Sequence, residues 1–197
     1  MKTATALILS FTGFLLTACI NLEPKPDNTR RFVLGPVAQT AEVSNESSDD
    51  ALSVYVMPPH LPTYLGRQEL LYRTAGGEVA IIPASRWAEP LIDGVARAFA
   101  HYLDRQSNIQ VAGYYPWPQP SETHGLLSLR FSRFEATDGG LLQVAANWSL
   151  RMPDGSRREG MLRDGAIRWQ VGDSESFVAA HNRALEALAV SLAEKLR

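Results

Sequence analysis

The chain is 197 residues long, carries a formal net charge of −2 and contains a single cysteine. A length of this order holds one domain with a core large enough to need no disulfides. The near-neutral charge excludes the electrostatic footprint of a nucleic-acid-binding protein.

The first segment is a targeting signal. Lys2 supplies a positive start, and residues 4–16 form an apolar run too short to span a bilayer and stay there. Leu16-Thr17-Ala18-Cys19 follows and resembles the lipobox cut immediately before its cysteine. The sole cysteine therefore sits where lipidation requires it. Residues 1–18 are expected to be a signal peptide, and residues 19–30 a lipidated Cys19 with its tether. Residues 31–197 are expected to form one domain. Several acyl chains, at about 0.8 kcal/mol per buried methylene, make such an anchor effectively permanent. Ile20 follows the cysteine in place of the aspartate that retains enterobacterial lipoproteins at the inner membrane, which points to the periplasmic face of the outer membrane.

Residues 31–34 read as a first strand and residues 39–50 as a polar loop. Residues 52–56 alternate at period two, as a half-buried strand does, and Pro58 and Pro59 are expected to end them. Residues 69–72 and 78–82 flank Gly76-Gly77 and suggest a hairpin, with Pro83 expected to stop its second arm. The period then changes. Trp87, Leu91, Val95, Ala98, Phe99, Tyr102 and Leu103 recur at three and four, which predicts an amphipathic helix over about 88–104 with Pro90 in its first turn.

A short strand is expected at 110–112, followed by a proline- and aromatic-rich loop holding Tyr114, Tyr115 and Trp117. Strands follow at 125–134 and at about 142–151, where Leu142, Val144, Ala146, Trp148 and Leu150 alternate with Gln143, Asn147, Ser149 and Arg151. A turn at Pro153-Asp154-Gly155-Ser156 leads to a strand over 157–171, expected to break near Asp164-Gly165. The last element is a helix capped near Asp173 or Ser174, with Phe177, His181, Ala184, Leu185, Leu188, Leu192 and Leu196 as its buried stripe. Consecutive hairpins with two amphipathic helices predict an α+β fold, a mostly antiparallel sheet with both helices packed on one face.

No catalytic constellation is legible. His60, His101, His124 and His181 lie in no metal-ligand spacing, and a second cysteine is lacking. There is no nucleophile elbow, no phosphate-binding glycine loop and no dinucleotide fingerprint. Glu89 and Asp93, four apart, are expected on the solvated face of the first helix. His181 falls on an apolar stripe and reads as a core histidine. The expectation is therefore no catalytic residue, no metal and no cofactor.

Two segments are more specific. Leu61-Pro62-Thr63-Tyr64-Leu65-Gly66-Arg67 follows the strand at 52–56, and Ser85-Arg86-Trp87-Ala88-Glu89-Pro90-Leu91 lies at the start of the first helix. Each carries an arginine beside an aromatic, a pairing enriched where proteins bind proteins. A strand, then L-P-x-Y-L-x-R, a hairpin and R-W-A-E-P-L at a helix start, all behind a lipobox, resembles the ABC-transport auxiliary lipoproteins of the PqiC type. The resemblance covers about residue 32 to the C-terminus; the pair Pro59-His60 ahead of Leu61 departs from it.

That resemblance implies a non-enzymatic outer-membrane lipoprotein of an MCE-type intermembrane lipid transport system. Its partners would be an MCE-domain protein of an ABC or paraquat-inducible-type system, the membrane through the lipid anchor, and further copies of itself in a ring. The competing reading is a structural or regulatory lipoprotein of another envelope machine. Candidate partner or oligomer contacts are Tyr64, Leu65, Arg67, Arg86, Glu89, Tyr114, Tyr115 and Trp117. Trp87, on the apolar stripe, is expected to brace the fold instead.

Overall fold

The structure is a computed structural model and describes residues 26–36, 51–118 and 123–197. The signal peptide, Cys19, most of the tether and the 39–50 loop lie outside the described residues. The elements in chain order are β1 (Arg30–Phe32), β2 (Leu52–Val56), a 3₁₀ turn (Thr63–Leu65), β3 (Glu69–Arg73), β4 (Val79–Trp87) and α1 (Leu91–Asp104). They continue with β5 (Ile109–Tyr114), β6 (Gly125–Thr137), β7 (Leu141–Arg151), β8 (Arg157–Arg168) and α2 (Ser174–Leu196). The α+β expectation is met.

β6 organises the sheet. One of its edges pairs antiparallel with β7, which pairs antiparallel with β8, and these are the long ladders. Its other edge is shared. β2 runs parallel to its first residues, Val54 beside Gly125 to Val56 beside Leu127, and β3 runs parallel to its last, Tyr72 beside Ala136. β5 extends the sheet beyond β2, and β4 then β1 extend it beyond β3. The longest ladders are antiparallel, but β1–β4, β2–β5, β2–β6 and β3–β6 are parallel, so the sheet is mixed.

The prolines explain two departures from the sequence expectations. Pro58 and Pro59 do end β2, yet the chain stays on β6. Met57 N–H donates to Leu127 O, His60 N–H donates to Leu129 O, and Phe131 N–H donates back to His60 O. The ladder passes over both prolines, so their missing donors cost nothing there. Pro83 does not stop β4. The register jumps from Leu71–Ile81 to Glu69–Arg86, and the surplus residues form a bulge in which Ala84 takes a φ of 50°. β4 therefore continues to Trp87.

The helix expected from residue 88 accordingly starts at Leu91, with Pro90 as its extended N-cap residue (φ −53°, ψ 132°). Trp87 belongs to the strand and matched the helical period only because strand end and helix face meet the same core. The break expected near Asp164-Gly165 survives as a register irregularity opposite Leu142–Val144 in an otherwise continuous β8.

Both helices cover one face of the sheet, and a single core lies between them. β6 contributes Leu127, Leu129, Phe131 and Phe134, and β7 contributes Leu142, Val144, Trp148 and Leu150. α1 buries Leu91, Val95, Phe99 and Leu103, and α2 buries the whole stripe from Phe177 to Leu196. Gly160 is bare because the indole of Trp148 lies against it; a Cβ there would come within 2.9 Å of Trp148 Nε1. On the inner face of β8, Arg158 reaches the last turn of α2, donating to Lys195 O at 2.6 Å and Leu196 O at 3.4 Å. A cation there satisfies orphan carbonyls and complements the helix dipole.

At the other end of α2, Asp173 accepts from Glu175 N–H at 3.0 Å and caps the helix. Asp173→Ala is expected to lower stability by about 1 kcal/mol, measured as a shift in denaturant midpoint, whereas Asp173→Asn should keep most of it.

The segment after β1 is clasped to the helices. Leu34 is buried, and Gly35 exchanges two hydrogen bonds with Asn182 of α2: its N–H donates to Asn182 Oδ1 at 2.8 Å, and its O accepts from Asn182 Nδ2 at 3.3 Å. Gly35 has a φ of 108°, and a Cβ there would meet Arg97, so only glycine fits. Arg30 pairs with Glu175 and lies over the Phe32 ring. No helix among the described residues is long and apolar enough to cross a membrane.

Candidate functional site

The hairpin β3–β4 folds back as its glycine turn implies and brings the two specific segments to the same end of the sheet. Glu69 faces Arg86 across the ladder, and Arg67 pairs with Glu69 at 3.3 Å. A main-chain hydrogen bond and the Arg67 guanidinium, with Arg86 adding its field, hold the Glu69 carboxyl below its usual range. Arg67 and Arg86 are both exposed. They form a small cationic group around one carboxylate.

The remaining residues of these segments go elsewhere. Leu65 is 5 % exposed and lies in the core, so it offers no surface to a partner. Tyr64 donates from its hydroxyl to Glu135 Oε2 at 2.8 Å, and Arg73 reaches the same carboxylate at 3.3 Å. Burial, aided by the Glu135 carboxylate, pushes the Tyr64 phenol up to about 12. Glu89 turns onto the first turn of α1, where Arg97 meets it; a Cβ on Gly94 would lie 3.1 Å from its carboxylate. That contact braces the helix start, which lacks a side-chain cap. Trp87 is 5 % exposed and packs against the rings of Phe177 and His181.

Tyr114, Tyr115 and Trp117 form a separate group at the end of β5, which runs on past residue 112 to include Tyr114 because that residue still pairs with Val56. Tyr115 N–H donates to Val56 O, and Tyr55 donates from its hydroxyl to Trp117 O at 2.5 Å. Tyr114 and Tyr115 are half-buried, while Trp117 is 64 % exposed. Val56 stands beside Leu127 on β6, and Tyr72 beside Ala136. The Glu69–Arg86 rung stands three residues before Tyr72, so at about 3.3 Å per strand residue the two groups lie roughly 15–20 Å apart along the sheet. The candidate contacts are therefore two patches.

The sheet face away from the helices carries residues that the sequence reading passed over. Arg130, Arg133, Arg151, Arg157 and Arg163 occupy its outward positions on β6, β7 and β8. Between the outer two rows, β7 presents Gln143, Ala145, Asn147 and Ser149. The surface there is a shallow trough of two joined parts, about 650 Å³ around Asn147 and about 520 Å³ around Ala145. The sequence signal was the period-two placement of these residues, which separates outward from inward but does not reveal which rows become neighbours.

His181 is enclosed by the rings of Trp87, Phe134 and Phe177. Its Nδ1 lies 2.8 Å from Phe177 O, a pure acceptor, so Nδ1 carries the proton. Burial lowers its pKa to about 4. Among the described residues no group of histidines and carboxylates is placed to hold a metal ion.

The family model described as ABC-type transport auxiliary lipoprotein component matches residues 32–193. Among solved structures, the crystal structure of an uncharacterized protein aligns with a TM-score of 0.68 at 17% identity, over 86% of this chain and 99% of that one. The crystal structure of a protein from Xanthomonas campestris aligns with a TM-score of 0.56 at 16% identity, over 85% of this chain and 94% of that one. At these identities the likeness is one of fold. Among curated proteins none matches the sequence.

Proposed function

Because the chain belongs to the ABC-type transport auxiliary lipoprotein family, whose members serve transport as accessory components and not as enzymes, we propose that it is the outer-membrane lipoprotein of an MCE-type intermembrane lipid transport system. In this reading Cys19 carries the lipid, and the domain faces the periplasm. It forms a ring of identical copies and docks an MCE-domain protein that spans the periplasm. The observation that carries the reading is the family match over nearly the whole folded domain, joined to a lone cysteine at the end of a lipobox.

Purification of the full chain from detergent extracts tests it. An MCE-domain protein should co-purify, and labelled palmitate should enter the wild-type chain but not Cys19→Ser. Recovery of subunits of a different envelope machine, with no MCE protein, would overturn the proposal. So would palmitate in the Cys19→Ser chain.

Arg67 separates contact from bracing. Its pair with Glu69 is solvent-exposed, with the arginine side chain 67% accessible, so water screens it and it adds little to folding. Arg67→Ala is expected to melt within about 3 °C of wild type. As an interface residue it should nevertheless lose the oligomer or the MCE partner. Light scattering after size exclusion, beside a melting curve, reads both. Early melting with an unchanged assembly mass would assign Arg67 to bracing.

A further inference from the structure

We propose that the trough on the open face of β6, β7 and β8 docks an acidic, extended segment of a partner polypeptide. The inference deepens the docking reading above by giving the partner surface a place and a chemistry.

Charge is the first argument. The chain as a whole is slightly acidic, with a net charge of −2. The outward positions of these three strands nonetheless hold six arginines, Arg168 at the end of β8 among them, against Glu135 and Glu159 among the described side chains. Both carboxylates are already engaged, Glu135 by Arg73 and Tyr64 and Glu159 by Arg157 at 3.1 Å. Arg130, Arg133 and Arg163 have no carboxylate partner among the described residues. Arg133 meets the Gln143 amide at 2.6 Å, and Arg163 lies against the Met161 sulfur at 2.9 Å. Guanidinium groups left without an acid accept a carboxylate readily, by two parallel hydrogen bonds.

Shape is the second argument. Arg130 and Arg133 rise from β6 and Arg163 from β8, two strand spacings or about 10 Å apart. The floor between them is β7, with Ala145, Asn147 and Ser149. That width admits one extended chain. The Asn147 amide and the Ser149 hydroxyl on the floor can pair with peptide groups, while alternate acidic side chains reach the arginine rows. A flat bilayer would rest on the rims and leave the floor empty.

The test uses the full chain in neutral detergent and a fluorescein-labelled peptide of alternating glutamate and serine, read by anisotropy. The peptide should bind, and binding should weaken as salt screens the arginines. Arg130→Glu and Arg163→Glu should each weaken it at least about tenfold, because buried contacts to charged groups dominate such interfaces. Arg183→Glu, the same charge change on α2, should leave it within about twofold, and all three variants should melt like wild type.

Absence of peptide binding at low salt would overturn the proposal. So would an equal loss in all three variants, or binding of phosphatidylglycerol vesicles through these arginines without binding of the peptide. The docking reading fails separately. Peptide binding with no co-purified MCE protein rejects that partner and keeps the trough, whereas co-purification that survives both reversals rejects the trough.

Discussion

Trp87→Ala is expected to destabilise the domain by about 3–5 kcal/mol, within the range for truncating a buried aromatic. Domains of this size have only about 5–15 kcal/mol in total, so the variant should be marginal. The melting temperature should fall by about 6–20 °C. The cause lies in what the indole touches: it is 5% exposed, and it joins the end of β4 to Phe177 and His181 of α2. Trp87→Phe should recover most of the loss. Any defect in assembly should follow the melting curve, and a well-folded Trp87→Ala that still fails to assemble would show that this tryptophan contacts a partner.

The second large effect is a dependence on pH. His181 titrates at about 4 in the folded chain and near 6.5 when unfolded. Between those values the unfolded chain holds the proton that the folded chain refuses. Its stabilising contribution is therefore complete above about pH 6.5 and is lost as pH falls toward 4. The full loss approaches about 3 kcal/mol at 1.36 kcal/mol per pH unit. Denaturant midpoints for wild type and His181→Leu, compared from pH 7.5 to 4.5, isolate this group from the carboxylates. The wild-type curve should fall more steeply by about 2–3 kcal/mol. Parallel curves would mean that the ring accepts a proton without unfolding.

Much of the fold could be read along the chain because each element carried its own evidence. β7 alternates without interruption, and α2 joins a capping Asp173 to an apolar stripe. The errors came from proline. Pro83 signals a stop, but a bulge accommodates it, and β4 extends to Trp87. That shift moved the start of α1 and turned an apparent helical residue into a strand residue. The parallel pairings of β2 and β3 on one edge of β6 left no local trace, since they depend on contacts between distant segments.

The site was legible in the same uneven way. The glycine turn marked the hairpin that sets Glu69 opposite Arg86 and so brings Arg67 and Arg86 to one carboxylate. The burial of Leu65 was not visible, because a leucine in a proline-rich corner has no period to assign its side. The open-face arginines looked like ordinary solvated positions. Only the register of β6, β7 and β8 sets them in rows.

The clasp at Gly35 also decides how the domain answers a mechanical pull. Tension on the chain before Arg30 enters at β1, a three-residue strand beside the end of β4. Taken alone, so short an edge would peel away one hydrogen bond at a time. Arg30 is tied to Glu175, and Gly35 is tied to Asn182 two turns further along the same helix. Force therefore divides between the sheet margin and α2, whose buried stripe anchors it in the core. The outward side chains of β6, β7 and β8 take part in neither tie.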